Sequence, residues 1–262
     1  FARAQTDDRR LLLHRLFENR LQASDSSVRS VVEAHFNEYV RLLNIAPSEV
    51  EQLRRDFVET WPFAPHLLRL LEDQVLVATS AQETRDLIKI LAGLFKARGE
   101  HADILTAADF RLEDDNTGIG ALLDSVSNQH HASLREKALR NITSVIEAIP
   151  NPNSTVPHLE EIMGSLWLRS IAVGNVAGAD PSTLQIDCTR GKPLDDNGFH
   201  VELGLIVENS FNIHQEGSRL IFKEDENPQA KLMSCARNDK LFPDGSDQAQ
   251  LAKEVRYVIG GS

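Results

Sequence analysis

The sequence predicts a mainly α-helical chain that turns to a short β-hairpin late in its length. Three observations predict it. Up to about residue 149, apolar residues recur three and four apart, the spacing of helices with one buried face. The stretch "PNPNSTVP", residues 150–157, then sets three prolines and two asparagines together, which breaks that pattern. Around residues 211–223 the period changes from 3.6 to 2, the signature of half-buried strands.

Taken in order, Leu12, Leu13, Leu16 and Leu21 form an early apolar stripe. Val28, Val31, Val32, His35, Phe36, Tyr39, Leu42 and Leu43 follow the helical period closely. Ser48 and Glu51 have capping-box spacing for a helix carrying Val50, Leu53, Phe57 and Val58. That helix ends before Pro62, because the residue ahead of a proline is pushed out of the α region. The stretch "WPFAPHLL" reads as a corner, in which Trp61 and Phe63 plug the seam between two helices and Pro65 opens the second. Ser80 and Glu83 have the same capping spacing ahead of "AQETRDLIKILAGLFKARG", with Leu87, Ile88, Leu91, Leu94 and Phe95 as its core face and Gly99 as its stop. A weaker region with a polar "EDDNTG" break leads to a helix over about 132–149.

Beyond the proline-rich break, the pattern predicts a helix over about 157–173. A short helix opens at Asp180-Pro181 and runs to about Cys188, and a third helix follows Pro193. Two strands around the turn "QEGS" come next. Asn227-Pro228 caps a further helix, and a last one begins near Asp247. Three helices followed by a hairpin is the order of a winged-helix unit. The expected fold class is therefore mainly α: a multi-helix domain, then a winged helix-turn-helix domain with a β-hairpin wing, then C-terminal helices. The expected boundaries are 1–150, 151–225 and 226–262.

Composition excludes several classes of function. With 262 residues, 41% hydrophobic and 26% charged, the chain can bury a sizeable core. A formal net charge of -11 disfavours a protein whose main task is to coat nucleic acid, since such binding needs Lys and Arg to displace counterions. Two cysteines, Cys188 and Cys235, exclude a disulfide framework or a Cys-rich zinc site and suit a reducing cytoplasm. No apolar run approaches the roughly 20 residues that span a bilayer, so no membrane partner is expected. The opening "FARAQTDDRR" lacks the apolar stretch of a signal peptide, and the closing "VRYVIGGS" begins a strand-like run and stops. Both ends read as cuts in a longer chain.

No motif announces a reaction. Gly118-x-Gly120 matches neither the dinucleotide fingerprint nor a Walker A loop, and there is no GxSxG. His130-His131 would diverge on a helix, and His158 with Glu161 does not reproduce HExxH, so no metal site is expected. In a winged helix the third helix reads DNA. Here that helix holds Asp195, Asp196, Glu202 and Glu208 and no Lys or Arg, and four carboxylates would repel phosphate. The DNA candidates are Arg190 and Lys192 in the preceding loop and Arg219 and Lys223 in the wing. They are few, and a packing or protein-docking module is the plainer account. Arg85 lies at the edge of its helix's core face, where a guanidinium could reach into a cleft and hold phosphate. On the residues alone, a salt bridge to Glu83, Asp86 or another carboxylate is the simpler account.

Two segments carry a family resemblance. "WPFAPHLLRLLED…AQETRDLIKILAGLF" resembles a Tyr-Pro-Phe-x-Pro-x-Leu segment followed by a Gln-x-Thr-Arg helix, with Trp61 departing from the usual aromatic. "VENSFNIHQEGSRLIFKEDENPQAKLMSCARNDKLF" is similar to the winged helix and following segment of the same family. That family comprises large prokaryotic AAA+-like P-loop ATPases with a domain of unknown function, related to ATPases of phage-exclusion and phage-growth-limitation systems. The resemblance covers most of residues 55–258. It implies a lid-plus-winged-helix segment whose Walker motifs lie upstream of Phe1, with Arg85 as a nucleotide-sensing arginine of the lid. The chain alone would hold no cofactor and turn over no ATP, while the intact protein would use ATP and Mg. Implied partners are the upstream P-loop domain, other subunits of an ATPase assembly, and DNA. Alternatives are a winged-helix DNA-binding regulator and a protein-docking structural module.

Overall fold

A computed structural model describes residues 13–19, 22–76, 83–126, 129–173, 177–237 and 249–253. The molecule is mainly helical, with one two-stranded antiparallel sheet among the described residues.

Helix α1 (Asp25–Leu42) starts where the Ser24 side chain accepts the amide proton of Ser27. Its apolar spacing turns Val28, Val32, His35, Phe36 and Tyr39 inward, while Val31 stays exposed. Helix α2 (Pro47–Thr60) corrects the expected cap at Ser48. Pro47 takes the first helical position, its ring already set to a helical φ, so Ala46 becomes the N-cap and Ser48 falls inside the helix. The expected corner follows. Helix α3 (Pro65–Leu70) again begins on a proline and runs into a π-helical turn, Leu71–Val75. Between α2 and α3, Leu105 N–H donates to Pro62 O and Ala64 N–H donates to Leu105 O, pinning the corner to the 105 strand-like bridge. Phe63 is fully buried, but Trp61 is only partly so, because its indole Nε1 turns out to the Asp103 carbonyl at 2.9 Å.

Helix α4 (Glu83–Arg98) stops at Gly99, as expected. Its expected cap Ser80 lies outside the described residues. The buried face is Leu87, Ile90, Leu91 and Leu94. Phe95 sits at the rim, where its ring meets Phe17 edge-on, and Ile88 is only partly covered. Two 3₁₀ turns, Ala107–Asp109 and Asp115–Thr117, lead to α5 (Ile119–Val126) and the long α6 (Gln129–Ala148). The first turn is closed by a capping box between Thr106 and Asp109.

The proline-rich break turns at Asn151, φ 50°, into a single helical turn α7 (Pro152–Thr155). Helix α8 (Leu159–Ser170) is the centre of the molecule. Nine of its residues are buried, including Gly164, Ser165 and Trp167, so it is covered on every side rather than on one stripe. It packs on the 107–109 turn, on α6, on α9 (Pro181–Cys188) and on the second strand. Gly164 meets the Phe110 backbone so closely that a Cβ would overlap its carbonyl oxygen. Asp180 caps α9 by accepting from Thr183 N–H, and Pro181 fills its first position, both as expected. Helix α10 (Asp196–Glu208) begins three residues beyond Pro193, because Asp195 provides the cap. The hairpin β1 (Ile213–Glu216) and β2 (Arg219–Phe222) pairs Ile213 with Phe222 and Glu216 with Arg219 across a turn at Gly217, φ 62°. Ala179 adds a backbone bridge to Leu220. Helix α11 (Pro228–Arg237) is capped by Asn227.

Among the described residues, one buried apolar cluster runs from Leu13 to Phe222 without a break at residue 150.

Candidate functional site

The sequence-derived candidates do not meet at one place. Arg85 is exposed on the first turn of α4. Its neighbour Asp86 is buried and faces Lys89 at 3.7 Å, so that carboxylate is not directed to Arg85. Of the DNA candidates, Arg190 folds back into the molecule. Its two terminal nitrogens each bond one oxygen of Asp109 at 2.9 Å, and Nη1 also reaches the Ile104 carbonyl. Arg219 donates to the Gly178 carbonyl at 2.7 Å. Lys223 forms an ion pair with Glu216 across the hairpin. Lys192 stands exposed on the loop before α10.

The carboxylates of the third helix are also occupied. Asp195 is the cap of α10, and Asp196 takes both terminal nitrogens of Arg41 at 2.8 Å and the Gln185 amide at 2.7 Å. Glu202 points inward, accepting the His158 amide at 2.5 Å and its Nδ1 at 2.9 Å. The hydrogen bond to Glu202 raises the His158 pKa above its ordinary value, against partial burial. Besides Asp196 and Gly198, α10 leaves exposed Asn197, His200, Val201, Gly204 and Glu208, and itself contributes no Lys or Arg to this surface. Two open clefts of about 510 and 530 Å³ meet at His158 and Leu194. Val201 and Leu205 line the first, and Glu161 and Lys192 line the second.

Sequence reasoning missed a buried polar cluster where α1, α3, α8 and α9 converge. Asp187, fully buried on α9, is its hub. Oδ1 accepts from His66 Nε2 at 3.1 Å and Arg169 Nη2 at 3.0 Å, and Oδ2 accepts from Ser165 Oγ at 2.5 Å and Arg169 Nε at 2.8 Å. Burial would raise this carboxyl, but the Arg169 guanidinium and the hydrogen bond from His66 together outweigh it and hold the group well below the usual carboxylate range. Each oxygen already has two donors, and neither reaches solvent. Asp187 is thus a crosslink, with no free lone pair for base chemistry. Above it, the His66 ring stacks on His35 at 5.7 Å and on Tyr39 at 5.1 Å. His35 Nδ1 lies 2.9 Å from the Thr189 carbonyl, which can only accept, so Nδ1 carries the proton. A second buried carboxylate, Asp109, joins Arg190, the Thr106 amide and, at 3.7 Å, Arg98.

Nothing matches. Protein-family models, curated proteins and solved structures all give no counterpart to this chain. Among the described residues, no group of three or more His, Cys, Asp or Glu side chains is gathered for a metal ion. No helix of the described residues is long and apolar enough to cross a membrane.

Both carboxylate clusters were illegible in sequence because their members are far apart: His66 and Asp187 are separated by 121 positions and Asp109 and Arg190 by 81. The one local hint was Arg169 and Ser165 on α8, four apart and therefore on one face of a helix otherwise rich in apolar residues.

Proposed function

We propose that this chain is the non-catalytic lid and winged-helix portion of a larger prokaryotic P-loop ATPase, working in phage defence or DNA transactions. ATP and Mg would be held by the P-loop domain upstream, in an assembly with other subunits. The observation that carries this reading is Arg85. It is an exposed guanidinium on the first turn of α4, a helix anchored through Leu87, Ile90, Leu91 and Leu94. A fixed helix presenting an exposed arginine suits contact with the phosphates of a nucleotide on a neighbouring domain, where the planar charge stabilises the transferring group. The three helices α8–α10 and the hairpin, joined by the Ala179–Leu220 bridge, support the winged-helix part.

That winged helix would dock protein rather than read DNA. Helix α10 itself exposes no Lys or Arg, and Arg41 beside it, Arg190, Arg219 and Lys223 are all engaged within the molecule. In the full-length protein, Arg85→Ala is expected to lower ATP turnover by at least about tenfold, a floor well under the roughly 10³–10⁵ of arginines that contact a transferring phosphoryl group directly, with the melting temperature unchanged. Unchanged turnover would remove the lid reading and leave the docking module. Salt-sensitive duplex binding by the 262-residue chain, weakened by Lys192→Ala, would restore the DNA-binding regulator.

A further inference from the structure

The stacked histidines sit where the first half of the chain meets the second. His35 comes from α1 and His66 from the first turn of α3, while their partners Thr189 and Asp187 lie at the end of α9. Each ring has one satisfied nitrogen. The other, His35 Nε2 and His66 Nδ1, is buried without a partner among the described residues. In the neutral ring that nitrogen is a bare lone pair, which burial tolerates. In the protonated ring it becomes an N–H donor with no acceptor, on a cation out of water.

The surroundings add little to offset this. His35 faces His66, Asp187 on α9 and Arg190 just after it. His66 faces Asp187, Arg169 on α8, and Arg69 on its own helix, with the Tyr39 ring of α1 against it. The one carboxylate among these, Asp187, is already matched by the bidentate Arg169. Two imidazolium rings stacked at 5.7 Å and 5° would also repel each other.

We propose that the His35–His66 stack is a proton-operated latch: the α1–α3 face closes on α9 only while both imidazoles are neutral, and acidification opens this joint. Burial lowers the pKa of His35 from 6.5 to about 3 and lowers that of His66, so both take up protons on exposure. The sign follows. A group whose pKa is depressed in the closed state stabilises closure above its exposed value of about 6.5, and this is lost as pH falls from there toward the closed-state pKa. Between pH 7.5 and 5.5 His35 is expected to raise the open population about tenfold, and His66 acts in the same direction.

Amide hydrogen exchange of the 262-residue chain at pH 7.5 and 5.5, corrected for intrinsic rates, tests this. Protection should fall in residues 181–190 and 25–42 by at least about tenfold, while α6 stays protected. Replacing the rings by His35→Asn and His66→Gln keeps the Nδ1-like and Nε2-like donors to Thr189 O and Asp187 but cannot titrate. In that double variant the pH effect should vanish. An equal loss of protection in wild type and variant would overturn the latch, as would its absence in wild type. Should the double variant fail to fold, histidine ring NMR of the wild type decides. Titration of either buried ring near 6.5 within the closed state would overturn the latch, and resonances that stay neutral down to pH 5.5 in the closed molecule would support it.

Discussion

Asp187 shows how a single side chain can hold distant parts of a chain in register. An ionised carboxylate buried with four donors is favourable only while all of them are present. Asp187→Asn replaces one acceptor oxygen by a donor and leaves the Arg169 charge, 12% exposed, without its counterion. The expected loss is about 3–5 kcal/mol, read from the urea midpoint. Ser165→Ala removes one donor and leaves the ion pair intact, so a loss of about 1.5–3 kcal/mol is expected. Equal losses for the two substitutions would mean that packing, not charge, holds the hub. These residues were not legible in advance, since an isolated Asp near a helix end and an isolated Ser within one read as ordinary polar positions. The apolar contacts were legible: Val28, Val32, Phe36 and Tyr39 fall on the buried stripe that their spacing dictates.

At the scale of elements, locally encoded features appear where their chemistry placed them. Asp180-Pro181 and Asn227-Pro228 open helices, the alternation at 213–222 forms a hairpin, and the corner at 61–65 joins two helices. The departures have equally local causes, with Pro47 overriding Ser48 as a start signal and Asp195 setting α10 later than Pro193. The corner also separates its two aromatics. Phe63→Ala removes a fully buried ring and is expected to cost about 3–5 kcal/mol. Trp61→Ala gives up a partly exposed ring and the bond to Asp103 O, and should cost less than half as much. Paired thermal melts check the ratio, and a larger effect at Trp61 would contradict this account of the seam.

At the scale of the whole molecule, many contacts cross the proline-rich break. Arg41 reaches Asp196, Arg111 reaches Glu160 and Glu161, Asn141 reaches Asn212, and α8 packs on the 107–109 turn. Residues 1–150 produced alone are therefore expected to expose Leu105, Ala107 and Phe110, bind a hydrophobic dye and melt without cooperativity. Adding residues 151–253 should restore a sharp transition. A cooperative melt of 1–150 by itself would show that the first part carries its own core. Sequence reading found the break from composition, but composition does not report which surfaces meet across it.

The close approach of Gly164 to Phe110 bears on how freely this chain can change. At position 164 the permitted alphabet has one letter, because even a methyl group would wedge the central helix away from the turn beneath it. Gly204, on α10, has open space where a Cβ would stand. Two glycines within helices, alike in sequence, thus differ in what substitution would do: one is fixed by its neighbour's backbone, the other is free to drift toward better helix formers.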